Sequence, residues 1–141
     1  LMRSSAASDV YKRQGLVTQA SAAIPVVPLY FAILYKVMKR AGNHENCIQQ
    51  IARLFTQKLY TPEGFRTDEN GFIRMDDYEL LPEIQEEVKK CWKAVTTDTV
   101  NQYCDIDGYW EDFYHMFGFH YSDIDYTQDV DANVEINGIV M

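Results

Sequence analysis

No lysine or arginine follows Lys93, although ten carboxylates lie between Asp98 and Glu135. A half that acidic repels a phosphate backbone, which argues against nucleic acid as a partner. Cysteine is scarce: Cys47, Cys91 and Cys104 are an odd number with no close spacing, a pattern that fits neither a disulfide framework nor a zinc site. The chain reads as cytoplasmic on that basis. Long apolar runs are missing too. The stretch from Ile24 to Met38 is the most apolar, but it falls short of the ~20 residues a spanning helix needs and contains Pro25 and Pro28. Nucleotide and hydrolase signatures are also absent: there is no GxGxxG, P-loop, HExxH, GxSxG or CxxC.

What is present is a composition that packs. In 141 residues, 47% are apolar and 13% aromatic, too rich for a disordered chain and enough for one modest domain.

The start of the chain has a different character. Ser4 to Gln14 reads SSAASDVYKRQ, matching the in-frame translation of a common transposase sequencing adapter. A basic, Ser/Ala-rich targeting peptide has similar composition, but no apolar signal core follows directly. Residues 1–14 are therefore expected to be an artefact, and 15–141 the authentic part. Setting aside Arg3, Lys12, Arg13 and Asp9 moves the net charge from −8 to −10.

The rest predicts a mainly helical chain. Gly15 to Thr18 would end a strand, and Gln19 to Ala23 form a loop or first helical turn. Pro28 suits a helix start and Gly42-Asn43 an end, giving a helix from about Pro28 to Arg40. A second helix, roughly His44 to Tyr60, would bury Cys47, Ile48, Ile51, Leu54, Phe55 and Leu59 on one face. Asp68 to Gly71 is a turn signal before a short strand or hairpin arm at Phe72–Met75. From Pro82 a third helix would turn Ile84, Val88, Cys91, Trp92 and Val95 inward. Thr97 or Asp98 would cap a fourth helix, and Asp107 a fifth ending near Phe117.

Few residues form a pattern that carries chemistry. Asp105-Ile-Asp107-Gly108 begins like a calcium loop, but its glycine comes two positions early, and a helix cap is the simpler reading. His44, His115 and His120 are too dispersed for a metal site. Tyr35 and Lys39 have the YxxxK spacing in which a reductase lysine lowers the pKa of a tyrosine acid, and a helix places both on one face. Tyr30 and Lys39 are nine positions apart, about half a turn out of phase, so they diverge. Val27, Phe31 and Tyr35 form an apolar stripe, read either as core packing or as a lining for an acyl chain.

Four strings together resemble the FabV-type enoyl-ACP reductase and trans-2-enoyl-CoA reductase family: LVTQASAAIPVVPLYFAILYKVMK (Leu16–Lys39), GNHENCIQQIARLF (Gly42–Phe55), FIRMDDYEL (Phe72–Leu80) and GYWEDFYHMFGF (Gly108–Phe119). The resemblance implies a longer parent with a Rossmann-like, doubly wound parallel sheet. It implies NADH as cofactor and reduction of the C2–C3 double bond of an enoyl-CoA or enoyl-acyl-carrier-protein thioester, as in fatty acid synthesis. The family's catalytic tyrosine and lysine precede the start of this chain, so it would be a carboxy-terminal part that is inactive alone. By the same resemblance, Leu16, Val17 and Thr18 face the nicotinamide carboxamide, while Val27, Tyr35 and Tyr109 line the substrate pocket. No metal is implied, and the parent would be monomeric. The competing readings are a stand-alone helical interaction module using the Val27, Phe31, Tyr35 stripe and acidic tail, and a small complete reductase using Tyr35 and Lys39.

Overall fold

The computed structural model describes residues 11–129; the first ten residues of the adapter-like segment, and Asp131 and Glu135 of the acidic tail, lie outside the described residues. Strand β1 (Tyr11–Lys12) is followed by helix α1 (Gln19–Ala23), α2 (Val27–Ala41) and α3 (Cys47–Arg53), which runs on into a wider π-helical turn (Leu54–Leu59). Strand β2 (Ile73–Arg74), α4 (Pro82–Ala94), α5 (Val100–Tyr103) and α6 (Ile106–Met116) complete the order. The expectation of helices plus a short strand holds. Its strand is the second of a two-stranded parallel pair rather than a hairpin arm, with Tyr11 opposite Ile73 and Lys12 opposite Arg74.

Helix α2 is the centre of the molecule. Pro28 sits in its first turn, where a missing N–H is harmless, and Gly42 ends it in the left-handed conformation at φ 75°. The Gly42 and Asn43 N–H groups then close on the Lys39 and Met38 carbonyls. The helix starts at a cost, because Val26 before it has φ 77°, a region β-branched residues avoid. Ile33, Leu34, Tyr35 and Met38 are fully buried, each aliphatic one worth about 1.5–3 kcal/mol of apolar burial.

Helices α4 and α6 and the short α1 pack against this helix. Ile84, Val88 and Cys91 recur at helical spacing on the inner face of α4. Trp92 does not join them fully; it stays 38% exposed at the edge. The segment between α4 and α6 is tied to α2 by polar bonds: Lys36 Nζ donates to the Asn101 and Cys104 carbonyls, and the Asp105 N–H to the Ala32 carbonyl. The fourth helix starts after Thr99 rather than Thr97 or Asp98.

Asp105, not Asp107, caps α6: its carboxylate accepts the Gly108 N–H at 3.1 Å. The same carboxylate pairs with Lys39 Nζ at 2.6 Å. A Cβ at position 108 would collide with both groups, so glycine is what lets α6 approach α2 there.

The second helix departs most from expectation. Asn46 caps α3 in a reciprocal box with Gln49, but its buried residues are Gln50 and Arg53, while Ile48, Ile51 and Phe55 are exposed. The periodic apolar face is real and points outward. The reason is electrostatic anchoring on the opposite face: Arg53 bonds Glu45, Asp77 and the Met75 carbonyl, each at 2.8 Å, and lies over the Tyr78 ring.

Candidate functional site

The segment Gly15–Thr18 runs along the aromatic side of α2 and is pinned at alternate amides. The Gly15 N–H donates to Glu79 at 2.6 Å, and Glu79 also accepts the Tyr30 hydroxyl at 2.9 Å. The Val17 N–H donates to the Tyr35 hydroxyl at 3.1 Å. Thr18 caps α1: its Oγ1 accepts the Ser21 N–H, and Ser21 Oγ in turn donates to the Leu16 carbonyl. The Leu16 N–H and the Val17 carbonyl carry no hydrogen bond among the described residues. Leu16 is only partly buried, so its unbonded N–H is the backbone donor this segment leaves available.

Two of the remaining residues expected to bind substrate line different cavities among the described residues. Val27 lines an apolar groove of about 660 Å³ between α2 and α4, with Val26, Tyr30, Val88, Lys89 and Trp92. Tyr109 lines a smaller pocket of about 170 Å³ with Pro28, Leu29, Ala32, Ile106 and Trp110. Tyr35 lines neither and is 1% exposed. Its ring is stacked on Phe31 and met edge-on by His44, whose Nε2 lies 2.9 Å from Asp112 Oδ2.

The Tyr35–Lys39 pair is not assembled. Lys39 is committed to Asp105, and Tyr35 to Val17. Burial drives the Tyr35 phenol far above its usual pKa, and the charge of Asp112 adds to this. A small reductase built on these two residues is therefore not what the structure holds. Nor is the Val27, Phe31, Tyr35 stripe presented to a partner, since its last ring is sealed inside. Tyr30 is likewise pushed up to about 12, by burial first and by the charge of Glu79 second. Both phenols stay protonated near neutral pH.

Sequence patterns miss Glu79, His44–Asp112 and Trp92 as neighbours of this region. The first two act across 49 to 68 residues, beyond any local periodicity. Trp92 reads as core by its spacing, although one large apolar residue at the flank of an amphipathic face is the usual signature of a groove wall.

Two ion-paired carboxylates, Asp77 beside α3 and Asp105 beside α2, make the chain acid-sensitive. Burial pushes Asp77 up, but hydrogen bonds from Lys58 and Arg53 outweigh it, so its pKa is lowered. Asp105 is likewise lowered, with Lys39 and the Gly108 N–H outweighing burial. A folded pKa below the unfolded value of about 3.9 gives stability present above that value and lost as pH falls through the folded one. Denaturant midpoints are thus expected to drop below about pH 4. An unchanged midpoint at pH 3 would contradict this assignment.

Ligand sites in α/β enzymes favour apolar walls with a few polar groups at the carboxyl ends of strands. Comparison with known proteins makes the class specific. A family model described as the trans-2-enoyl-CoA reductase catalytic region matches residues 1–60, and one described as the enoyl reductase FAD binding domain matches residues 67–130. The enoyl-[acyl-carrier-protein] reductase [NADH] of Cytophaga hutchinsonii is 50% identical over 127 residues, 90% of this chain and 32% of that protein. The protein of the same name from Coxiella burnetii is 48% identical over 128 residues, 91% of this chain and 32% of its own length. The crystal structure of Clostridium acetobutulicum trans-2-enoyl-CoA reductase in complex with NAD superposes with TM-score 0.77 at 45% identity, covering 86% of this chain and 31% of that one. The chain belongs to the enoyl-ACP and trans-2-enoyl-CoA reductase family, and it spans about a third of the length of these relatives.

The residues fit the two dinucleotides implied by these names unequally. A nicotinamide carboxamide would have the unbonded Leu16 N–H as a donor beside it. Neither of the two longer helix starts in the described part of 67–130 offers a flavin diphosphate an open seat. The N-terminus of α6 is filled by the Asp105 carboxylate, the first turn of α4 carries Glu83, and Arg74 is bonded to Asp68 and Asp76. Helix starts occupied by carboxylates repel a phosphate rather than hold one.

Proposed function

We propose that this chain supplies one wall of an NADH-dependent enoyl-thioester reductase, a longer cytoplasmic, monomeric enzyme whose remaining parts bind the dinucleotide phosphates and donate the proton. Bound NADH supplies a hydride to C3 of a trans-2-enoyl thioester. The observation that carries this reading is the turn at Leu16–Thr18, with its free Leu16 N–H and Val17 carbonyl. The Leu16 N–H would hold the carboxamide of the bound nicotinamide. This holds the nicotinamide ring against rotation and fixes which face meets the substrate.

The thioester lies on the other side of that turn. Val27 and Tyr109 present apolar surface to its acyl chain from the two cavities flanking the first turns of α2, and Thr18 holds the α1 cap between cofactor and substrate. Both carrier types are supported by the relatives' names, which include acyl-carrier-protein and CoA enzymes. No helix among the described residues is long and apolar enough to cross a membrane, and the acidic second half disfavours nucleic acid.

The test is reconstitution. Residues 15–141, joined to the upstream two thirds of the Cytophaga relative, are expected to oxidise NADH when crotonyl-CoA is added; the 141-residue chain by itself is expected to show no turnover. A joined enzyme that folds and binds NADH yet reduces no enoyl thioester would overturn the reading.

A further inference from the structure

We propose that Tyr35 is a positioning residue for the cofactor segment: its phenol oxygen accepts the Val17 N–H at 3.1 Å and so fixes the backbone whose Leu16 N–H is left free for the nicotinamide amide. This rests on the NADH reading above and assigns Tyr35 a role other than lining the acyl pocket.

The bond joins residues 18 apart and is buried at both ends, with Val17 4% and Tyr35 1% exposed. Water does not compete for it, so the N–H has this partner or none, and an orphaned buried N–H is costly. The ring has little freedom to move away. Phe31 stacks on one side, with centroids 6.1 Å apart and planes 3° from parallel, and His44 abuts it at 4.4 Å. His44 is in turn fixed by Asp112 at 2.9 Å. The turn follows the same aromatic wall upstream, since a Cβ on Gly15 would lie 2.6 Å from the Phe31 ring.

The amide pattern shows what the bond accomplishes. Gly15 and Val17 donate their N–H groups to side chains, Glu79 and Tyr35, while the Leu16 N–H between them is unspent. Without the phenol, the Val17 N–H would seek a partner by rotating its peptide, which carries the Leu16 carbonyl away from Ser21 Oγ and displaces the adjoining Leu16 N–H. Phenylalanine keeps the stack on Phe31 and the contact with His44 but cannot accept this bond. The role therefore belongs to the oxygen, not to the ring.

The experiment compares the joined enzyme with its Tyr35→Phe variant. The dissociation constant for NADH, read by the cofactor's fluorescence, is expected to rise about tenfold, in line with loss of one buried hydrogen bond. The KM for crotonyl-CoA is expected to stay within about twofold, because a group acting on the cofactor turn leaves substrate contacts in place. Amide exchange is measured on the same pair. Val17 exchange should accelerate while Leu34 and Met38 stay protected.

A rise in crotonyl-CoA KM with NADH affinity unchanged would overturn the proposal and return Tyr35 to the acyl pocket. Unchanged affinity for both ligands would overturn it too. So would a uniform acceleration of core amides, which marks a purely structural role. Failure of the reductase reading looks different: the parent joined enzyme would then bind NADH and reduce nothing, whatever stands at position 35.

Discussion

Arg53→Ala is expected to destabilise the chain by about 3–5 kcal/mol, the range for breaking a buried ion pair by removing one partner. The guanidinium is 5% exposed and makes three bonds at 2.8 Å: Nε to Glu45, Nη1 to Asp77 and Nη2 to the Met75 carbonyl. It also sits 4.1 Å from the centroid of Tyr78. Truncation leaves the Met75 carbonyl and the Glu45 carboxylate without this donor, while Asp77 keeps Lys58 at 2.6 Å. Arg53→Lys should be nearly as harmful, because an ammonium cannot span three acceptors in fork geometry. Urea unfolding reads both variants through the midpoint at constant slope. A loss below about 1 kcal/mol would show that the network behaves as a surface pair.

Leu34→Ala should lose about 2–5 kcal/mol, whereas Ile51→Ala should stay within about 0.5 kcal/mol in this chain. Both are aliphatic residues on helices, and both lie on apolar faces by periodicity. Leu34 has 0% exposure within the cluster formed by α2, α4 and α6, so its removal costs transfer free energy and leaves a cavity. Ile51 is 43% exposed and leaves none. Thermal or urea unfolding of the two variants side by side decides the matter. Comparable losses would mean that the face of α3 is covered by something in solution.

The candidate site is legible in the sequence to different depths. Leu16, Val17 and Thr18 can be pointed to only through resemblance to a family, because backbone groups leave no trace in a sequence. Val27 and Tyr109 carry an apolar signal, but one that core residues share. Tyr35 is instructive. Its spacing to Lys39 suggests a catalytic pair, yet Lys39 turns to Asp105 and the phenol turns to Val17. Helical spacing places two side chains on one face; the partner each reaches depends on which segments that face packs against. Glu79, His44 and Asp112 are invisible for the same reason, since their bonds cross 49 to 68 residues.

Local chemistry in the sequence determined the elements. Pro28 and Pro82 open helices, Gly42 closes one, and the Ile84, Val88, Cys91 spacing marks the inner face of α4. Those signals are short-range, set by φ, by a missing N–H or by 3.6-residue periodicity. Only the tertiary structure decided how the faces are used. It turned the apolar side of α3 outward because Arg53 anchors the other side, and it paired β2 with β1 in parallel. It also gave the Val17 amide to Tyr35. An amphipathic pattern shows that a helix has two faces; which one is covered depends on the segments packed against it, here those that hold Arg53.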